Sequence, residues 1–126
     1  MIKYIKGDLM KQTSDYDIVI HGCNCFKTMG AGIANQVRTM FPHAYEVDYN
    51  TKLGDPNKLG SFAYYDYPNF TLINAYTQFG CGLLERIDNE YLSKEQTQEL
   101  RERAIKNVFL NYMINMVISI INLHFH

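Results

Sequence analysis

A histidine, an asparagine and two glycines fall close together in His21-Gly-Cys-Asn-Cys-Phe-Lys-Thr-Met-Gly-Ala-Gly-Ile-Ala34. Gly30 and Gly32 let a backbone approach a ligand closely. The helical pattern that follows them would present unpaired amides and the positive end of its dipole, which suits a phosphate. Asn24 offers a donor and an acceptor, which suits a ribose diol. His21 is the titratable group nearest to any phosphate held there. Each residue also has a plain alternative: the glycines form a tight turn, Asn24 occupies a left-handed turn position, and His21 is a satisfied polar residue. The Gly-Lys-Ser/Thr of a P-loop is missing, and the glycine spacing is poor for a dinucleotide fingerprint.

These residues need a strand ahead of them and a helix behind. Asp17–His21 supplies three consecutive β-branched residues between a polar turn and Gly22, the signature of a short strand buried on both faces. After Gly30–Gly32, the residues Ile33, Ala34, Val37, Met40 and Phe41 share one helical face. Pro42 ends that helix or starts another, and His43–Thr51 reads as a short helix before a polar loop at 52–58. Ile2–Ile5 reads as a first strand. Gly60–Tyr67 and Phe70–Tyr76 read as two strands joined at Pro68-Asn69. Ser93 with Gln96 forms a capping box. Behind it Leu100, Ala104 and Val108 line one helix face, and Glu99/Arg103 and Glu102/Lys106 are i,i+4 pairs. Val117–Leu123 reads as a last strand. The order gives an α/β protein with helices on both faces of a sheet.

With 126 residues the chain has room for one domain, 1–126, and its 47% apolar and 20% charged content is ordinary for a globular protein. The net charge is −1 and the basic residues are scattered, so no nucleic-acid footprint is visible. Cys23 and Cys25 are too close for a zinc site and Cys81 stands alone; they read as reduced thiols in a cytoplasmic protein, with no metal and no cofactor. Residues 108–123 carry no charge, but three asparagines and a serine interrupt them, which favours a buried element over a membrane span. The ten tyrosines read as packing residues, with Phe79 the one weak candidate for stacking on a base.

Four ordered motifs carry a resemblance. They are Lys6-Gly-Asp-Leu9, the His21–Ala34 segment, Phe41-Pro-His-Ala44 and Leu72-Ile-Asn-Ala-Tyr-Thr-Gln78. Together, over about residues 1–79, the chain resembles macro domains, in the branch of ADP-ribose-1″-phosphate phosphatase-like and phage and bacterial members. The resemblance implies a three-layer α/β/α fold with a mixed sheet. It also implies binding of ADP-ribose or ADP-ribose-1″-phosphate, with phosphomonoester hydrolysis. It places Asp8 on the adenine amino group with the Leu9 backbone beside it. Asn24 falls on the distal ribose, and Met29, Gly30, Ala31, Gly32 and Ile33 fall around the diphosphate and distal ribose. Thr77 and Gln78 fall beside the distal ribose. His21, with Asn24, takes the catalytic position. Non-catalytic recognition of ADP-ribose, or an inactive remnant, are the alternatives.

The chain also departs from that pattern. Phe79-Gly-Cys-Gly-Leu-Leu84 looks like the second glycine-rich loop of the family, yet it directly follows Ala75-Tyr-Thr-Gln78, where the family has a different loop, and it precedes the capped helix instead of following the late strand; the match reads as accidental. Nothing in 107–126 looks like the family's C-terminal part, so a shortened, truncated or frameshifted domain is expected, with self-association as a means of covering the gap. Ala75 stands near the lysine expected of the related glycohydrolases, which argues against removal of ADP-ribose from protein carboxylates.

Overall fold

A computed structural model describes residues 18–29 and 32–125. The expected strand at Ile2–Ile5 and the expected ligand residues Asp8, Leu9, Gly30 and Ala31 lie outside the described residues.

Among the described residues three strands form a mixed sheet in the order β1-β3-β2, with β1 at Ile18–Cys23, β2 at Phe62–Asp66 and β3 at Thr71–Tyr76. β1 runs parallel to β3, pairing Ile18 with Thr71 through to Cys23 with Tyr76. β2 and β3 are the expected antiparallel hairpin, and Tyr67 N donates to Phe70 O (2.8 Å) across the Pro68-Asn69 turn. β3 is central, so Leu72–Tyr76 is buried on both faces and is apolar at almost every position.

Alternation along β3 separates two packed layers. Leu72 and Tyr76 join Val19 and Cys23 of β1 under α1 (Gly32–Met40) and α2 (Pro42–Tyr49), where Val37 and Ala44 complete the core. Ile73 and Ala75 face the other way and are equally buried, as are Ala104 and Val108 of α3 (Lys94–Phe125), the helix that packs against β3. The protein is therefore α/β, with helices on both faces of a mixed sheet. Pro42 does both things its position allows: α1 ends at Met40 and α2 begins at Pro42, where the missing N–H costs nothing.

The capping box forms as read. Ser93 N donates to Gln96 Oε1 (2.9 Å) and Gln96 N donates to Ser93 Oγ (3.0 Å). Glu99 and Arg103 pair at 3.9 Å, whereas Glu102 accepts from Gln98 Nε2. A small hairpin, β4 at Arg86–Ile87 and β5 at Glu90–Tyr91, turns through Asp88 and Asn89, both at positive φ as a type I′ turn requires.

Two expectations for the last third are corrected. Val117–Leu123 is not a strand: α3 runs without a break from Lys94 to Phe125. The β-branched residues suggested a strand, but β preference is set mainly by sheet neighbours. Neither glycine nor proline interrupts the segment, so extending a nucleated helix costs little. Nor is 108–123 a buried element. Val108 is buried, Phe109 and Tyr112 are half-buried, and the described side chains beyond them are exposed.

Candidate functional site

The carboxyl ends of parallel strands are where open α/β sheets hold ligands. Here β1 and β3 end side by side at Cys23 and Tyr76. Each feeds a loop: one runs from Asn24 to Met29, ahead of α1, and the other, Thr77–Glu85, leads into β4. The two loops are joined to each other. Thr77 N donates to Cys23 O (3.2 Å), Cys25 N to Phe79 O (2.9 Å), and Phe26 meets Phe79 edge to face at 4.9 Å. Gly22 allows this approach, because a Cβ there would lie 2.8 Å from Thr77 Oγ1.

Asn24 organises the first loop. Its Oδ1 accepts from Phe26 N (2.9 Å), an Asx turn, and its Nδ2 donates to Thr28 Oγ1 (2.6 Å). Lys27 takes a left-handed conformation at φ 61°. Met29 is fully buried in the core beneath the loop, and Gly32 and Ile33 open α1. From below, Gly54 N and Lys58 Nζ both donate to Cys25 O (2.8 and 3.3 Å). Lys58 also donates to Thr51 Oγ1 (2.7 Å) and lies over the Tyr76 ring. Burial lowers the Lys58 pKa against the charge of Asp48.

His21 lies within β1 rather than at its end, because the strand continues to Cys23. It is 6% exposed, and register sets it beside Asn74. Asn74 Nδ2 donates to Ala44 O (2.9 Å), which fixes Asn74 Oδ1 as the acceptor toward His21 Nε2 at 2.6 Å. Nε2 therefore carries the proton, and in the neutral ring Nδ1 is the acceptor, with the Cys23 thiol 3.7 Å away. Burial lowers the His21 pKa, opposed by the Asn74 bond and by Asp48. Burial also raises the Cys23 thiol, and pushes Cys25 up to about 11, so both stay protonated at neutral pH.

The second loop depends on a residue that sequence reasoning missed. Glu85 is 1% exposed, and its carboxylate accepts from Phe79 N (2.6 Å), Gly80 N (2.8 Å) and Arg101 Nε (3.3 Å). Arg101 donates on to Gly82 O (2.6 Å), and Gln78 Nε2 donates to Gly80 O (2.8 Å). Asn74, Asp48 and Lys58 were missed as well. Asp48 shares a helix face with Ala44, and Asn74 interrupts an apolar strand; both positions could have signalled buried polar partners.

The structure thus brings Asn24, Thr77 and Gln78 to one end of the sheet, whereas Met29 lies in the core beneath the first loop and His21 lies inside the packed layer, two residues short of the end of β1. Among the described residues no group of three His, Cys, Asp or Glu side chains is placed to hold a metal. A groove of about 490 Å³ lies elsewhere, around the outer edge of β2, lined by Val47, Phe62 and Asn111 among others, and holds none of these residues.

No family model matches the chain. It is 42% identical over 87 residues to an uncharacterized 17.5 kDa protein from the tk-vs intergenic region of Enterobacteria phage T4; the match covers 65% of this chain and 56% of that one. It is 47% identical over 66 residues to the ADP-ribose 1″-phosphate phosphatase of Debaryomyces hansenii, covering 47% of this chain and 37% of the yeast protein. The Saccharomyces cerevisiae protein of the same name is 46% identical over 48 residues, or 38% and 27% of the two chains. The chain is thus related over part of its length to proteins so named, and spans about half of the phage relative and about a third of the yeast ones.

Proposed function

We propose that this chain is a macro domain that binds ADP-ribose or a derivative where β1 and β3 deliver their loops. The observation that carries the reading is the joining of those two loops at the ends of adjacent parallel strands. The relatives named ADP-ribose 1″-phosphate phosphatase supply the ligand. In this reading Asp8 takes the adenine amino group, with the Leu9 backbone beside it. Amides of Gly30–Ile33 stabilise the phosphate charge, and Asn24, Thr77 and Gln78 line the distal ribose. The cytoplasm, where three free thiols persist, is the proposed compartment.

The catalytic step proposed is hydrolysis of the phosphomonoester of ADP-ribose-1″-phosphate. Water adds to phosphorus, the ester oxygen leaves with a proton, and the products are ADP-ribose and inorganic phosphate. His21 would orient the water or move that proton. A second reading, recognition without turnover, is favoured by one observation: His21 is buried and its Nε2 proton is already committed to Asn74. Calorimetry with ADP-ribose tests the common part, and no heat of binding would overturn both readings. Phosphate release from ADP-ribose-1″-phosphate then separates them. If His21 is catalytic, His21→Ala abolishes release and keeps binding; unchanged release would remove that role.

A further inference from the structure

Leu83 stands 94% exposed in a loop that is nevertheless held firmly. The hold is polar. The Glu85 carboxylate reaches back to Phe79 N and Gly80 N, and Arg101 spans Gly82 O (2.6 Å) and Leu83 O (3.5 Å). Glu85 is itself fastened by its main chain: its N donates to Thr97 Oγ1 (3.1 Å) and its O accepts from Leu92 N (2.8 Å). A loop that only connected β3 to β4 would gain by burying its leucine, whereas burying a carboxylate costs free energy that its partners must offset. What this arrangement fixes is the start of the loop, beside Cys23 and Cys25.

Glu85 accepts from Gly80 N, and Gly80 O accepts from Gln78 Nε2 (2.8 Å), so the carboxylate holds the residue that holds the Gln78 carboxamide. The carbonyl acceptor also sets the orientation of that amide. Nε2 faces Gly80, which leaves Oε1 and one Nε2 hydrogen. Among the described residues neither has a partner. Gln78 lies against the first loop, where its N donates to Cys23 O (3.5 Å) and its O accepts from Cys25 Sγ (3.6 Å). Asn24, the other side-chain amide at this end, is committed to its own turn. Its Oδ1 accepts from Phe26 N, and its Nδ2 donates to Thr28 O (3.3 Å) and Thr28 Oγ1 (2.6 Å).

We propose that Gln78 is the residue that selects for the distal ribose diol, and that Glu85 is its positioning residue, acting through Gly80. The inference rests on the ADP-ribose reading above and divides the ligand between the two loops. A diol both donates and accepts, which matches an open amide oxygen and hydrogen. A phosphate only accepts, and the two successive amides that could cradle an anion here already hold the Glu85 carboxylate. The second loop is therefore the sugar wall and not a phosphate wall.

Calorimetry with ADP-ribose and with ADP, which lacks the distal ribose, tests this. The wild type is expected to bind ADP-ribose more tightly than ADP. Gln78→Ala, at a partly exposed position, is expected to lower ADP-ribose affinity about tenfold, the scale of one or two lost hydrogen bonds, and to leave ADP affinity unchanged. Glu85→Gln keeps one acceptor for the two amides and turns a donor on the other, and is expected to reproduce that selective loss. The double variant is expected to lose no more than the larger single loss, because two steps of one path do not add. If Glu85→Gln fails to fold by circular dichroism, Arg101→Lys replaces it with the same expectation; it keeps the charge but lacks the fork that spans Gly82 O and Leu83 O. No binding of ADP-ribose by the wild type overturns the ligand reading and this inference with it. Where the wild type binds, unchanged ADP-ribose affinity in Gln78→Ala overturns the assignment of Gln78 alone. Equal losses for ADP-ribose and ADP in the Glu85 or Arg101 variant mark general damage and overturn the positioning role, as does a double variant whose losses add.

Discussion

Two regions of this molecule reverse the usual distribution of side chains. The layer between the sheet and α2 buries His21, Asp48, Lys58 and Asn74, while the outer half of α3 exposes leucine, isoleucine, valine and methionine. The buried layer is tolerable because its members are partnered. His21 bonds Asn74, Asn74 bonds Ala44 O, Tyr76 OH donates to Asp48 Oδ1 (2.7 Å), and Lys58 caps Cys25 O. No buried side-chain nitrogen or oxygen among the described residues lacks a partner. An apolar side chain has no such local remedy; only another surface removes it from water. Polar burial here is settled within the chain, and apolar exposure calls for something beyond it.

The comparison breaks most readily at Glu85. Glu85→Ala strands Phe79 N, Gly80 N and the Arg101 guanidinium together. The expected loss is about 3 kcal/mol, since a buried charge pair that loses one partner leaves the other uncompensated and Arg101 is only partly exposed. That is a fall of about 1.5 M in the urea midpoint. A loss below about 1 kcal/mol would mean that water replaces the carboxylate. ADP-ribose affinity should fall with it if the second loop lines the proposed site.

Asn74→Ala is next, at about 2 kcal/mol, because it leaves His21 Nε2–H and Ala44 O without partners in a closed layer. The same pair sets a pH dependence. The His21 pKa is lowered in the folded state, so below pH 6.5 the unfolded chain binds the proton first. Its contribution is therefore fully present above pH 6.5 and is lost as the pH falls from there toward the folded value. Urea midpoints taken between pH 7.5 and pH 5.5 should decline in the wild type and decline less in His21→Gln. Parallel declines would mean that other groups dominate the titration.

What the sequence made legible follows from how local each cause is. The β2–β3 hairpin was readable because Pro68-Asn69 acts on its immediate neighbours, and so was the Ser93–Gln96 box. The strand carrying His21 was readable, but its end was not: hydrogen bonding with β3 extends it to Cys23, which moves His21 from a rim position into a layer. Asn24 was singled out as a ligand residue, and the structure shows its side chain shaping its own turn through Phe26 and Thr28. Glu85 was invisible, since its partners lie in a loop and on a helix face whose meeting depends on the whole fold. Val117–Leu123 was misread because β-branched residues carry weight in a sheet and little in a helix already nucleated at Ser93.

That last point yields the smallest effect and the closest test of what holds α3 in place. If the cap and the sheet-facing seam support the helix, then Ser93→Ala, which removes only the bond to Gln96 N at an exposed position, costs about 1 kcal/mol. The thermal midpoint should fall by about 4 °C. Because the outer half continues from the capped half, the helical signal in circular dichroism should stay at its wild-type amplitude below the transition and disappear in one step. A separate early loss of helix signal in Ser93→Ala would show the outer half melting by itself. In that case residues 113–125 would depend on a partner surface for their helicity rather than on the turn that begins at Ser93.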